Sequence, residues 1–244
     1  MNGRCLAPCF IAHRLGAGLG AENSAAACRA ALQAGFRAFE CDIKFSSDGQ
    51  AFALHDDSLL RTHGQALRAS ALPWRRLREL AGGDDSGLAS LEQLRELLRT
   101  CAEPTWMNLE IKPDDDAGAA LQADWGRRLA ERAEHLWDGD CEALCLSSFS
   151  LPALQGAADA APRLPRAWLC QRLPGHWRGV VQALRLRAVH LAAQTCNAPA
   201  IAQLRGAGLD VRVYTVNDPA LMRHWLDLGA SGVFTDVVPQ AQNP

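Results

Sequence analysis

Short apolar runs alternate along the chain with longer amphipathic segments rich in Ala, Leu, Arg and Glu. The runs have the length of buried strands, and the segments between them have the spacing of helices with one apolar face. Such alternation of strands and helices predicts a mainly parallel sheet. The predicted strands cover residues 9–13, 36–45, 50–55, 106–111, 143–149, 166–170, 188–192, 211–216 and 232–235.

These strands are one more than the eight of a closed (β/α)8 barrel, and a predicted hairpin accounts for the extra one. The segment between Asp42 and His55 is too short for the crossover helix that joins parallel strands. With Asp48-Gly49 at the tip of a two-residue type I′ turn, His55 lies directly opposite Asp42. The other strands predict an α/β fold, a TIM (β/α)8 barrel.

The 244 residues suit one such barrel, because no low-complexity linker divides the chain. We therefore expect a single domain over residues 1–244. The segment from Asp57 to Leu88 is glycine-rich and lacks periodicity, so we interpret it as a small insertion at the active-site mouth that sets substrate preference. The next helix is predicted to begin with a capping box formed by Ser90 and Gln93.

Composition and charge exclude several classes of function. The formal net charge is −2 and the arginines stand in short groups, so nucleic acid is not an expected partner. The longest uncharged stretch, 143–158, is broken by polar residues and cannot span a bilayer, and no signal peptide is recognisable. We therefore expect a cytoplasmic protein without membrane insertion, and we predict no protein partner.

Acidic residues interrupt the apolar strands at positions that share one face. Glu40 and Asp42 lie two residues apart in one strand, and the hairpin brings His55 beside them. Glu110 and Lys112 share a face at the end of the strand that follows the insertion. Active sites of barrels lie at the C-terminal ends of the strands. The candidates at this mouth are His13, Arg14, Glu40, Asp42, His55, Glu110 and Lys112.

Three carboxylates at one mouth repel one another unless positive charge lies between them. Mg²⁺ and Ca²⁺ prefer such oxygen ligands, so Glu40, Asp42 and Glu110 predict a site for one divalent cation. Arg14 and Lys112 beside it favour an anionic substrate, because Arg can hold a phosphate by two hydrogen bonds. The two histidines suit general acid and base catalysis near neutral pH. Together these residues predict metal-assisted cleavage of a phosphodiester.

Other classes of function stay open at this point. Residues 16–21 match the G-x-G-x-x-A pattern of a dinucleotide-binding loop, which favours an NAD(P)-binding oxidoreductase. Against it, Glu22 brings negative charge to the place where a pyrophosphate would bind. A carbohydrate-active barrel could use Glu40 and Glu110 as its carboxylate pair, and a barrel without catalytic activity could bind phosphodiesters.

Several short motifs follow one another in order over nearly the whole chain. They are Ile11-Ala12-His13-Arg14, Glu22-Asn23-Ser24, Glu40-Cys41-Asp42, Asp48-Gly49, His55-Asp56, Arg61-Thr62, Glu110-Ile111-Lys112, Ser148-Phe149, Tyr214-Thr215-Val216-Asn217 and Gly232-Val233-Phe234-Thr235-Asp236. In this order they resemble the glycerophosphodiester phosphodiesterase family, most of all its bacterial cytosolic members.

The resemblance implies a TIM barrel of the phospholipase-C-like phosphodiesterase type. It implies hydrolysis of glycerophosphodiesters, such as glycerophosphocholine or glycerophosphoethanolamine, to sn-glycerol 3-phosphate and an alcohol. By this likeness Glu40, Asp42 and Glu110 are the metal ligands, and His13 and His55 are the acid/base pair. The nucleophile is either water or the 2-hydroxyl of the substrate's own glycerol.

The sequence departs from the family pattern at one position of the first motif. The family usually has Gly after His-Arg, and here Leu15 follows Arg14. Because Gly suits a positive φ or a close approach of the backbone, Leu15 puts the shape of this loop and its phosphate contact in question. Ser24 keeps a hydroxyl where the family more often has Thr, and suits a helix N-cap. Phe149 and Tyr214, near strand ends, are expected to shape the substrate pocket.

Overall fold

The computed structural model describes residues 9–83, 87–138 and 140–239. The strands are β1 (Phe10–Ala12), β2 (Ala38–Phe45), β3 (Ala51–Ala53), β4 (Trp106–Ile111), β5 (Leu144–Ser148), β6 (Arg166–Cys170), β7 (Ala188–Ala192), β8 (Asp210–Tyr214) and β9 (Gly232–Thr235). The α-helices are α1 (Ala25–Gln33), α2 (Leu60–His63), α3 (Trp74–Leu80), α4 (Leu91–Arg99), α5 (Ala119–Leu136), α6 (Leu151–Ala160), α7 (Trp177–Leu184), α8 (Ala198–Gly206) and α9 (Pro219–Asp227). Two short 3₁₀ helices cover His13–Leu15 and Ala69–Ala71. None of the described helices has the length and apolar content that a membrane span needs.

Eight of the strands close into a parallel barrel. β1 pairs with β2 on one side and with β9 on the other, and β4 to β8 complete the ring in chain order. β3 lies outside the ring, because it pairs antiparallel with the C-terminal end of β2 and forms a single further bridge, to Ser90, among the described residues. The predicted TIM barrel with an additional hairpin is therefore confirmed.

The predicted register of this hairpin is wrong by one residue. Ile43 faces Ala53, and the backbone N–H of Leu54 donates to the carbonyl of Asp42, so His55 is not opposite Asp42. The turn contains three residues rather than two, and Gly49 at its end has a φ of +90°. A type I turn followed by a left-handed glycine produces this longer loop. His55 instead reaches the mouth from the loop that follows β3.

Acidic side chains enter the barrel interior toward the C-terminal end of the strands. The lower part of the interior is filled by an apolar cluster that includes Ala38 and Trp106, with the buried guanidinium of Arg212 lying over the Trp106 ring. Glu40 and Asp42 continue the inward side of β2, because alternate residues of a strand face the same way. Cys41 faces outward and packs among the apolar residues between barrel and helices, as predicted.

Two predicted helix starts are confirmed. Ser24 caps α1, where its hydroxyl accepts a hydrogen bond from the backbone N–H of Ala27 at 3.0 Å. Ser90 and Gln93 form the capping box of α4, with each side chain accepting from the other's backbone N–H. Both caps satisfy amide groups that a helix start leaves without a partner.

The predicted insertion folds against the hairpin. Residues 57–83 carry α2, the second 3₁₀ helix and α3. Leu59 and Leu77 of this segment form an apolar cluster with Phe52 of β3. Residues 84–86 of the predicted insertion lie outside the described residues.

A buried lysine joins the hairpin to the neighbouring loops. Lys44 is 0% exposed, and its ammonium donates to Asp57 Oδ1 at 2.7 Å and to Asp114 Oδ1 at 2.9 Å. It also donates to the backbone carbonyl of Lys112 at 3.3 Å. These contacts tie β2 to the start of the insertion and to the loop after β4.

We expect Lys44→Met to lower the free energy of unfolding by about 3–5 kcal/mol, because it leaves the buried carboxylate of Asp114 without its ammonium. Urea unfolding followed by circular dichroism measures this change. The matched control is Arg127→Ala on α5, which removes an exposed pair with Glu131 and should cost less than about 1 kcal/mol. Equal losses in the two variants would contradict the role given to Lys44.

Candidate active site

Three carboxylates meet at the C-terminal end of the barrel. Glu40 and Asp42 come from β2 and Glu110 from β4, and the strand register places Asp42 directly beside Glu110. One oxygen atom from each lies within 4.8 Å of the other two. All three residues are buried. The predicted convergence of these side chains is therefore present in the structure.

Burial and mutual repulsion shift the pKa values of the three carboxyl groups in different directions. Burial, reinforced by Asp42, raises the pKa of Glu40 to about 8 and that of Glu110 to about 7. Burial also acts on Asp42, but Lys112 and His55 outweigh it and hold the pKa of Asp42 below its usual range. Without a cation, the trio therefore carries less than its full negative charge near neutral pH.

Two cationic side chains adjoin the trio. The ammonium of Lys112 lies 3.0 Å from Glu110 Oε1 and 3.7 Å from Asp42 Oδ1. The backbone N–H of Arg14 donates to Glu40 Oε2 at 2.8 Å, and its Nε lies 3.8 Å from Asp42 Oδ2. Within the described part of the chain, this buried Nε has no hydrogen-bond acceptor. Arg14 thus has a donor available for an anionic ligand.

Each of the two histidines is hydrogen-bonded through Nδ1 to an aspartate. His13 Nδ1 lies 2.7 Å from Asp236 Oδ1, and His55 Nδ1 lies 2.7 Å from Asp56 Oδ1. The pKa values of both aspartates are lowered, chiefly by hydrogen bonds from His13 and from Arg61 respectively. An ionised carboxylate only accepts hydrogen bonds, so each Nδ1 carries the proton. The Nε2 atoms of both rings remain for the mouth.

The two rings meet different electrostatic surroundings there. His13 Nε2 lies 4.0 Å from Glu40 Oε2, whereas His55 Nε2 lies 3.2 Å from the ammonium of Lys112. Burial acts to lower the pKa at both histidines, but its effect is opposed to different extents. At His13 the hydrogen bond to Asp236 and the charge of Glu40 outweigh burial, and the pKa is raised. At His55 burial prevails and the pKa is lowered.

A cavity of about 170 Å³ connects these groups. Phe149 stands at its rim with 44% of its surface exposed, and its ring meets that of Tyr214 edge-on at 6.0 Å. The hydroxyl of Tyr214 is buried and has no partner among the described residues. All the residues predicted for the site line this cavity: His13, Arg14, Glu40, Asp42, His55, Glu110, Lys112, Phe149 and Tyr214.

The loop that contains Leu15 keeps a backbone shape that glycine adopts easily. Arg14 and Leu15 have φ angles of +49° and +65°, in the left-handed region that costs other residues about 1–2 kcal/mol each. The side chain of Leu15 is fully buried, which stabilises the fold by about 1.5–3 kcal/mol. Its burial is thus of the size needed to offset its own backbone strain. The departure from the family pattern leaves the contact between Arg14 and Glu40 intact.

Sequence reasoning quoted Asn23, Asp56 and Asp236 in the motifs but gave none of them a role. Asn23 donates to Asp42 Oδ2 at 3.0 Å, from a loop in which no periodic pattern marks it. A signal did exist for Asp236, which directly follows β9 and lies two positions after the inward-facing Phe234. Asp56, which directly follows His55, could have been found from the histidine's need for a partner on Nδ1.

The glycines of residues 16–21 serve close packing in this structure. A Cβ atom on Gly18 would lie 1.9 Å from the carbonyl oxygen of Asp236. α1 begins only at Ala25 and is capped by Ser24, so these glycines do not lead directly into a helix. A dinucleotide-binding loop requires that direct passage. The structure therefore weighs against the oxidoreductase alternative.

The fold and the chemistry of the mouth together define a barrel phosphodiesterase. A model of the glycerophosphoryl diester phosphodiesterase family matches residues 13–239, and the chain belongs to this family. The resemblance found in the sequence motifs is therefore confirmed. Membership also favours phosphodiester hydrolysis over the oxidoreductase, carbohydrate-active and non-catalytic alternatives.

Individual relatives agree with this assignment. The chain is 28% identical over 222 residues to probable glycerophosphodiester phosphodiesterase 2 of Mycobacterium tuberculosis, covering 88% of this chain and 81% of the relative. It is 23% identical over 243 residues to a glycerophosphodiester phosphodiesterase of Bacillus altitudinis, covering 95% and 96%. A solved Oleispira antarctica phosphodiesterase, in complex with the product sn-glycerol-3-phosphate, matches with a TM-score of 0.83 and 25% identity, covering 96% of this chain and 94% of that one.

We expect the metal-free protein to lose thermal stability as the pH rises from about 5 to about 8. Glu40 and Glu110, with pKa values raised to about 8 and about 7, bind more protons in the folded state than in the unfolded state. Their ionisation with rising pH therefore favours unfolding. Mg²⁺ or Ca²⁺ should raise the Tm more at pH 8 than at pH 5.5.

Scanning calorimetry with and without chelator measures this effect. The variant Glu40→Gln/Glu110→Gln supplies the comparison, because it removes both titrating groups and should flatten the pH dependence of Tm. An unchanged pH dependence in this variant would contradict the assignment of the effect to the acidic trio.

Proposed function

We propose that the protein hydrolyses glycerophosphodiesters, such as glycerophosphocholine and glycerophosphoethanolamine, to sn-glycerol 3-phosphate and an alcohol with the help of one divalent cation. The observation that carries the proposal is the meeting of Glu40, Asp42 and Glu110 within 4.8 Å, in a cavity that His13 and His55 also line. Family membership supports the reaction class. The Oleispira antarctica complex with sn-glycerol-3-phosphate supports the assigned product.

The chemistry of the trio fits Mg²⁺ or Ca²⁺. Glu40, Asp42 and Glu110 would hold the ion, since hard divalent cations prefer carboxylate oxygens. Burial and the charge of Asp42 raise the pKa values of Glu40 and Glu110, and a cation among the three carboxylates would favour their ionised forms. When bound, the ion would supply stabilisation of the negative charge that grows on the phosphoryl oxygens.

The two cationic side chains would bind the phosphate from the protein side. Arg14 offers its buried Nε, which has no acceptor among the described residues. Lys112 places its ammonium beside Asp42, Glu110 and His55, where it can reach a phosphoryl oxygen. Preorganised donors of this kind stabilise a transition state more than a mobile solvent does.

The histidines would move the protons of the reaction. Each presents Nε2 to the mouth, because Nδ1 is bound to Asp236 in one case and to Asp56 in the other. One imidazole would take a proton from the nucleophile, and the other would give a proton to the leaving alcohol. The nucleophile is water or the glycerol 2-hydroxyl, and transfer of ¹⁸O from labelled water together with a search for cyclic phosphate distinguishes the two.

The aromatic pair and the insertion would select the substrate. Phe149 and Tyr214 form one wall of the cavity, and the hydroxyl of Tyr214, which has no partner among the described residues, suits a hydrogen bond to a substrate hydroxyl. The insertion lies against the hairpin that leads to His55. Exchange of Phe149 is therefore expected to change the preferred alcohol.

We expect chelator-treated protein to release no sn-glycerol 3-phosphate from glycerophosphocholine, and Mg²⁺ or Ca²⁺ to restore release. Glu110→Gln should abolish turnover and also remove the stabilisation of Tm by the metal. The control Glu131→Gln changes an exposed carboxylate of α5 and should leave both unchanged. Full turnover in excess chelator, or no turnover with several glycerophosphodiesters and either metal, would contradict the proposal.

We expect His13→Ala and His55→Ala each to lower kcat by roughly 10²–10⁴-fold, because each removes one proton-transfer group. A substrate with a nitrophenol leaving group needs little protonation as it departs. It should therefore restore turnover in the variant that lacks the acid and not in the one that lacks the base. Near-normal turnover of glycerophosphocholine by either variant, or rescue of both, would contradict the acid/base assignment.

A further inference from the structure

An arginine of the insertion joins two carboxylates at the edge of the mouth. The Arg61 guanidinium donates to both oxygens of Glu22, at 2.8 and 2.6 Å. It also donates to both oxygens of Asp56, at 2.6 and 3.1 Å. Arg61 thus bridges the loop before α1 and the loop after β3.

Each of these two carboxylates also hydrogen-bonds to a residue of the candidate site. Glu22 accepts two hydrogen bonds from Nη1 of Arg14, at 3.0 and 3.2 Å. Asp56 holds Nδ1 of His55 at 2.7 Å. Glu22 therefore links Arg61 to Arg14, which is proposed to bind phosphate. Asp56 links Arg61 to His55, which is proposed to transfer a proton.

We propose that Arg61 is a positioning residue, which fixes Arg14 and His55 relative to each other across the mouth. The inference rests on the proposed function, because that function assigns phosphate binding to Arg14 and proton transfer to His55. Its physical basis is the fork of the guanidinium, which can engage two carboxylates by paired hydrogen bonds at once. A lysine ammonium in its place lacks this planar geometry.

Exposure separates this role from a purely structural one. The Arg61 side chain is 48% exposed, although its partners Glu22 and Asp56 are only 17% and 28% exposed and form a paired network with it. Loss of Arg61 should therefore lower the Tm only modestly and act chiefly on the placement of Arg14 and His55. Small displacements of such groups reduce turnover strongly.

The same insertion offers a matched control. The Arg68 side chain is 47% exposed and forms a paired contact with Asp116 at 2.7 and 2.8 Å. Arg68 Nη1 also lies 3.7 Å from Asp114 Oδ2, and in the described part of the chain neither Asp114 nor Asp116 is hydrogen-bonded to Arg14 or His55. Arg68→Ala thus removes a paired contact of an equally exposed arginine from the same segment, without loosening Arg14 or His55.

The first test measures kcat and KM for glycerophosphocholine with the metal-loaded protein. Arg61→Ala should lower kcat/KM roughly ten- to hundredfold, with Arg61→Lys restoring little. Arg68→Ala should stay within about twofold of the unaltered protein, as expected for an exposed pair. Glu22→Ala should act mainly on KM through Arg14, and Asp56→Ala mainly on kcat through His55.

Double variants show whether Arg61 affects KM through Glu22 and kcat through Asp56. Added to Glu22→Ala, the change Arg61→Ala should lower kcat but raise KM no further. Added to Asp56→Ala, it should raise KM but lower kcat no further. Such non-additivity is the signature of residues that act through a common contact. Full additivity in both double variants would overturn the proposal.

A second measurement does not depend on turnover. Titration calorimetry with inorganic phosphate should show weaker binding in Arg61→Ala and unchanged binding in Arg68→Ala. If the unaltered protein binds phosphate but hydrolyses no glycerophosphodiester, the proposed function fails, and the binding result alone decides on Arg61. Equal behaviour of Arg61→Ala and Arg68→Ala in kinetics and in phosphate binding would overturn the proposal.

Discussion

Three buried carboxylates that repel one another at the barrel mouth determine which charges must surround them. Two of them, Glu40 and Glu110, have pKa values raised by burial and by Asp42 between them. Lys112, His55 and Arg14 lie close enough to hold the pKa of Asp42 below its usual range against the effect of burial. This partial compensation leaves room for a divalent cation and an anionic substrate to complete the balance of charge.

Much of the fold follows from the spacing of apolar residues. The barrel strands lie within a few residues of the predicted ranges, since buried parallel strands give continuous apolar runs. The alternation within β2 and β4 also placed Glu40, Asp42 and Glu110 on one side. The hairpin register failed because a turn with Asp48-Gly49 can contain two or three residues, and the choice depends on contacts outside the turn. One such contact is the hydrogen bond from the backbone N–H of Trp74 to Asp48.

The parts of the site to which sequence reasoning gave no role come from loops and from the short helix α2. Asn23 and Glu22 lie in a segment without strand or helix periodicity, so no pattern indicates where their side chains point. Arg61 reaches Glu22 over a separation of 39 positions in the chain. Contacts of this kind depend on the packing of the insertion against the barrel, which local preferences do not determine.

The buried ammonium of Lys44 also sets the residue at which the insertion could be cut for exchange with another sequence. Its two carboxylate partners belong to different segments, Asp57 at the first position of the insertion and Asp114 in the loop after β4. A graft that replaced the segment from residue 58 onward would keep both partners. A graft that began one residue earlier would have to bring its own carboxylate. The boundary for exchanging this segment between relatives is thus set by a charge beneath it rather than by its surface.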